Sequence, residues 1–163
     1  MRVALGVDHA GFPLKEAVAK LLQDLGHEVV DFGCGGQSPC DYPDAAVPLA
    51  RAVARGECDL GVLMCGTGTG MSIAANKVPG AYAALCHEAY SARMARTHNG
   101  ANVLALGGRV IGPELALDVV QAFLSATPSD AERHERRRAK VRAAEQQARA
   151  AEAPDVTDGE ARS

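Results

Sequence analysis

Five short apolar runs alternate with segments of helical spacing, and this alternation limits the fold more than any single motif does. Residues 2–7 (RVALGV), 27–32 (HEVVDF), 60–64 (LGVLM), 81–86 (AYAALC) and 102–107 (NVLALG) read as strands. Between them, residues 13–26 place Leu14, Val18, Leu21, Leu22 and Leu25 on one helical stripe, opened by Pro13 and closed by Gly26. Residues 45–56 read as a helix with Pro48 in its first turn or at a kink, and 71–76, 88–98 and 113–126 as three more. A final helix spans about 130–150. Repeated strand–helix–strand units imply an α/β fold with a five-stranded parallel sheet covered by helices on both faces. The length suits one domain, residues 1–150, followed by a polar tail, 151–163, expected to be disordered.

Sheets of this kind bind ligands beyond the carboxyl ends of their strands. Three strand ends carry polar chemistry: DHAG at 8–11, CGTGTG at 65–70 and GGR at 107–109. They are expected to meet in one crevice. The glycine loop fails three known patterns by one residue each: Thr67 stands where a P-loop needs Lys, and Met71 where a dinucleotide fingerprint needs Gly and a cysteine phosphatase needs Arg. Its physics survives. Gly66, Gly68 and Gly70 let the backbone approach a ligand, and their N–H groups with a following helix make an anion cradle. Cys65 then reads as a base or nucleophile facing developing negative charge, or as a buried inert cysteine beside a tight turn.

The other candidates are ambiguous taken singly. Asp8 and His9 could hold a polar ligand, or Asp8 could cap a helix. His98 and Asn99 close a helix, where His98 could simply meet the helix dipole. Tyr42 in the DYP turn is a lid or a packing residue. Arg133 and Arg137, four apart in RHERR, suit a phosphate monoester or a solvated helix face, and Arg109 is a third candidate. Residues 131–150 hold seven Lys or Arg against three Glu, so the rest of a chain of net charge −3 carries −7. A local basic patch on an acidic chain favours a specific anion over a polyanion. Val141 is the last helix's only large aliphatic residue, which suggests that this helix reaches a dimer partner.

Five cysteines without a Cys-x-x-Cys pair argue against a disulfide framework or structural zinc, and Cys34, Cys40, Cys58 and Cys86 read as packing or loop residues. No metal-ligand spacing occurs. The N-terminus lacks a signal peptide pattern and no run has the length of a membrane helix, so a cytoplasmic location is expected.

Taken in order, GVDHAGFPLK, CDYPD, MCGTGTGMSIAANKVPG, EAYSARMARTHNGANVLALGGRVIG and RHERR resemble the type B ribose-5-phosphate isomerases, a group that includes galactose-6-phosphate isomerase subunits. The resemblance covers residues 1 to about 147. It implies a homodimeric, Rossmann-like α/β/α sandwich that interconverts D-ribose 5-phosphate and D-ribulose 5-phosphate without a cofactor. It implies Cys65 as the base, since Ser72 and Ile73 supply no Glu as another branch of the family does. His98 with Asp8 would open the sugar ring, and Thr67 would move a proton between the substrate oxygens. Gly66, Gly68 and Gly70, with Asn99, would stabilise the enediolate. His9, Arg109, Arg133 and Arg137 would hold the phosphate, the last two supplied by the other subunit. The alternatives are a six-carbon substrate (allose 6-phosphate or galactose 6-phosphate) and a non-catalytic phosphate-binding module. Nucleic-acid and membrane partners are not expected.

Overall fold

The computed structural model describes residues 1–36 and 38–152. The elements run β1 (Arg2–Val7), α1 (Phe12–Asp24), β2 (Glu28–Asp31), α2 (Tyr42–Ala54), β3 (Leu60–Cys65), α3 (Thr69–Ala75), β4 (Ala83–Leu85), α4 (Ala89–Asn99), β5 (Val103–Gly107), α5 (Pro113–Leu124) and α6 (Glu132–Glu152). All strand pairs are parallel, in the order β2-β1-β3-β5-β4. The order reverses between β1 and β3, which are joined in the register Val3 to Leu60 and Val7 to Met64. This is the switch point at which such sheets open a crevice.

Side-chain alternation along each strand divides the core in two. Val3, Leu5, Val7, Leu60, Val62, Met64, Leu104 and Leu106 face α1, α4 and α5, with Phe123 of α5 fully buried among them. Ala4, Leu63, Cys65, Val103 and Ala105 face α2 and α3. The second face is built of smaller residues because α2 lies close to it. A Cβ on Gly6 would stand 2.7 Å from Leu63 Cδ2 and 3.1 Å from Leu49 Cδ1. Each buried Leu, Val or Phe removes apolar surface from water at about 1.5–3 kcal/mol.

Three of the boundaries that differ from the sequence reading have a local cause or consequence. The second helix begins at Tyr42 rather than 45, with Pro43 in its first turn. Pro48 therefore lies in the interior, on an exposed side where the Asp44 carbonyl that loses its partner meets water. The third helix starts at Thr69 because Gly68 (φ +79°) turns the chain left-handed just before it. The last helix continues through Ala151 and Glu152, two residues of the segment expected to be disordered. The rest of that tail, 153–163, lies outside the described residues.

The last helix docks on its own chain through polar contacts rather than an apolar stripe. Arg138 donates from Nη2 to the Ser129 carbonyl (2.6 Å) and from Nη1 to that of His98 (3.3 Å). Glu145 accepts the Gly80 N–H (3.0 Å) and the Tyr82 hydroxyl (3.2 Å). Val141 stays exposed. Among the described residues, no helix is long and apolar enough to cross a membrane.

Candidate active site

The three polar strand ends do meet. At the carboxyl end of β1, Asp8 donates its own N–H to the Met64 carbonyl of β3 (3.1 Å). At the carboxyl end of β5, Gly108 and Arg109 donate theirs to the carbonyls of Cys65 (2.8 Å) and Gly66 (3.0 Å). The side chain of Arg109 lies over the loop, its Nη1 3.6 Å from where a Cβ on Gly66 would stand. Tyr42, at the start of α2, covers Gly70, with its Cζ 2.9 Å from the corresponding point there. His9 Nδ1 accepts the Cys40 N–H at 3.4 Å.

Cys65 sits at the centre of this ring, its side chain on the α2–α3 face and only 5% exposed. The chain turns back at Gly68, whose N–H donates to Cys65 Sγ at 3.2 Å. An N–H aimed at sulfur is the donor a thiolate base calls for. Thr67 is exposed beside it. The other free cysteines are poor bases: burial, with help from the Glu88 carboxylate, pushes Cys86 up to about 11, and burial also raises Cys58. Asp8 is buried, and its Oδ1 accepts the N–H groups of Ala10 (2.8 Å) and Gly11 (2.9 Å), so it shapes the turn into α1.

The remaining candidates lie elsewhere. His98 and Asn99 end α4, which runs antiparallel to the strands for eleven residues, or roughly 16 Å. They therefore stand at the amino ends of β4 and β5, across the sheet from Cys65. There they line a cavity of about 340 Å³ with Tyr82, His134, Arg137 and Arg138. The expected pairing of His98 with Asp8, and of Asn99 with the glycine loop, does not occur within one chain. The reason is topological, because a helix that leaves the top of one parallel strand must end at the bottom of the next.

Two histidines in these clusters went unassigned in the sequence. His134, within RHERR, is 5% exposed and stacks on His98 with ring centroids 4.2 Å apart and planes 6° from parallel. Its Nε2 accepts from Arg133 Nε at 3.2 Å. Burial, then His98 and the arginines 133, 137 and 138, hold its pKa below 6.5. His87 stands two residues past the end of β4 and accepts the Gly107 N–H at the carboxyl end of β5. The rule that marked Asp8 and Cys65, polar residues at strand ends, would have marked His87 too.

One sequence expectation is corrected outright. Cys34 and Cys40 form a disulfide across the loop between β2 and α2. An odd cysteine count and missing Cys-x-x-Cys argue only against a framework of bridges; the loop's reversal brings two cysteines six apart together. Among the described residues, no group of three or more His, Cys, Asp or Glu could hold a metal ion.

Fold and site define a class: a doubly wound parallel α/β protein with a thiol, a glycine loop and an arginine brought together beyond the carboxyl ends of its strands. The Ribose/Galactose Isomerase family pattern matches residues 3–141. The ribose-5-phosphate isomerase B of Escherichia coli is 48% identical over 145 residues, covering 89% of this chain and 97% of that one. The D-erythrulose-4-phosphate isomerase of Pectobacterium atrosepticum is also 48% identical, over 128 residues, covering 77% and 84%. The solved structure of Clostridium thermocellum ribose-5-phosphate isomerase B superposes with a TM-score of 0.87 at 49% identity, covering 91% of this chain and 99% of that one. The chain belongs to the ribose/galactose isomerase family.

Proposed function

We propose that this protein interconverts D-ribose 5-phosphate and D-ribulose 5-phosphate, with Cys65 as the base. The observation that carries this reading is the Cys65 sulfur, held by the Gly68 N–H in a loop of bare backbone, with Arg109 lying over the adjacent Gly66. The reaction moves a proton between adjacent carbons and needs no cofactor. Cys65 thiolate takes the proton from C2 of the open-chain aldose. Negative charge passes to oxygen as an enediolate, and the N–H groups of Gly66 and Gly70 meet it, that of Gly68 being held by the Cys65 sulfur; one such donor typically accounts for about 3–4 kcal/mol of barrier. The Thr67 hydroxyl passes a proton between O1 and O2, and the thiol returns its proton to C1. His9 and Arg109 hold the phosphate, and Tyr42 closes over it.

A homodimer completes the site. Ring opening falls to His98 of the partner subunit, and Asn99, Arg133 and Arg137 of the partner subunit face the ligand from the same side. What supports this is the separation within one chain: His98, Asn99 and Arg137 line a cavity at the opposite end of the sheet from the thiol, and Arg133 bonds to His134 in its wall. The exposed apolar residues Ile73, Leu85, Val110 and Val141 are the kind of surface a second copy covers. We further read the enzyme as cytoplasmic, with residues 1–150 as its single domain.

Turnover of ribose 5-phosphate by the purified chain in EDTA, before and after iodoacetamide, tests this reading. Metal-independent turnover that is lost on alkylation and protected by substrate is expected. Undiminished turnover after stoichiometric modification of Cys65 would overturn the base assignment. A four-carbon substrate is the second reading, because the D-erythrulose-4-phosphate isomerase matches this chain at the same 48% identity as the Escherichia coli enzyme, over a shorter span. The ratio of kcat/KM for the two sugar phosphates decides between them.

A further inference from the structure

His87 lies outside the mechanism above, yet it joins two of its parts. The β4–β5 ladder ends when Cys86 donates its N–H to the Ala105 carbonyl. In a parallel ladder the next donor on that side is the N–H of Gly107, two residues on. It meets no strand carbonyl. It donates instead to His87 Nε2 at 3.0 Å. Gly107 is buried, so without the imidazole this N–H would be left unpaired.

Gly107 is also a point of close packing. A Cβ there would stand 2.9 Å from His87 Nε2, 2.9 Å from the carbonyl carbon of Thr67 and 2.7 Å from Val110 Cγ2. The bare glycine thus lets the His87 ring and the Thr67 backbone press on the same spot. The turn that starts there sends its next two N–H groups to the carbonyls of Cys65 and Gly66, and it carries Arg109. An imidazole that accepts at Nε2 carries its proton on Nδ1 and is neutral.

We propose that His87 is a positioning residue for the isomerisation. As a neutral acceptor for the Gly107 N–H, it fixes the turn bearing Arg109 against the Thr67 backbone, and so sets the distance between the phosphate anchor and the enediolate cradle. This rests on the isomerase reading above, because the spacing matters only to a ligand that touches both ends.

Three variants test it. Gln carries an amide oxygen near the position of Nε2; the shorter Asn does not reach it, and Leu keeps bulk without an acceptor. His87→Leu and His87→Asn are expected to lower kcat/KM for ribose 5-phosphate by about tenfold or more, as misplacement of a fraction of an ångström does. His87→Gln is expected to recover to within about threefold of the parent. Thermal midpoints are measured alongside, and if His87→Leu does not fold, the Gln–Asn pair decides. Equal activity in Gln and Asn, or wild-type activity in Leu, overturns the proposal. Binding of inorganic phosphate by calorimetry provides a readout independent of turnover: weaker in Leu and Asn and restored in Gln is the supporting pattern, and no change among the three overturns it. If the wild-type chain does not turn over ribose 5-phosphate, the isomerase reading fails, while the phosphate series still tests the positioning.

Discussion

At Gly68, backbone shape and chemistry meet in one residue. Its φ of +79° is reached cheaply only without a Cβ, and a Cβ there would stand 2.5 Å from Leu85 Cδ1 and 2.8 Å from the Leu106 carbonyl carbon. Leu85 can shift; the β5 backbone cannot. Gly68→Ala is therefore expected to lose about 2–4 kcal/mol of stability and to pull the N–H away from the Cys65 sulfur. Turnover should fall with the thermal midpoint, and an unchanged midpoint would show that the loop has more freedom than its contacts indicate. Cys65→Ser separates the two effects. It keeps the turn and removes the thiolate, so turnover should drop by about a thousandfold or more at an unchanged midpoint. Near-normal turnover in that variant would remove Cys65 from the chemistry.

At the scale of elements, the loop from β2 to α2 and the docking of α6 carry the least apolar support. The Cys34–Cys40 bridge closes the first. Loop-closure entropy for so small a ring is on the order of 2 kcal/mol. The loop's Cys40 N–H meets His9, and two residues on comes Tyr42 over Gly70. Reduction should thus raise KM for the sugar phosphate by about three- to tenfold with kcat little changed, because the cost falls on ordering the phosphate side. A Cys34→Ser, Cys40→Ser double variant should match the reduced wild type and ignore reductant. Identical KM with and without reductant would exclude the coupling. For α6, the stack of His134 on His98 gives a pH dependence with a definite sign. His134 binds its proton less tightly folded than unfolded, so its contribution is full above about pH 6.5 and is lost as pH falls below it. The urea midpoint should therefore fall between about pH 7 and 5.5 more steeply in the wild type than in His134→Gln. Parallel profiles would show that the stack does not anchor α6.

For the whole molecule, the sheet and its helices were legible because strands buried on both faces write themselves as apolar runs, and the crevice followed from which runs ended in polar residues. Asp8, Cys65, Gly66 and Arg109 fell where that argument put them. The position of His98 did not, because helix direction, not local pattern, decides at which end of the sheet a helix finishes. His134 was hidden between arginines whose charge drew the reading, and the Cys34–Cys40 bridge depends on a loop reversal that no periodicity announces. The same topology sets what the proposed mechanism requires of assembly: Cys65 and His98 stand at opposite ends of the sheet in one chain, so the ring-opening role proposed for His98 calls for His98 of the partner subunit.

Co-expression of Cys65→Ser and His98→Asn chains under two different affinity tags, followed by tandem purification, tests that demand directly. Each variant alone should be inactive on ribose 5-phosphate. In the mixed dimer one of two sites pairs an intact Cys65 with His98 of the partner subunit, so about half the wild-type rate per dimer is expected. A mixed dimer as inactive as its parents, or a chain that stays monomeric, would contradict the shared site.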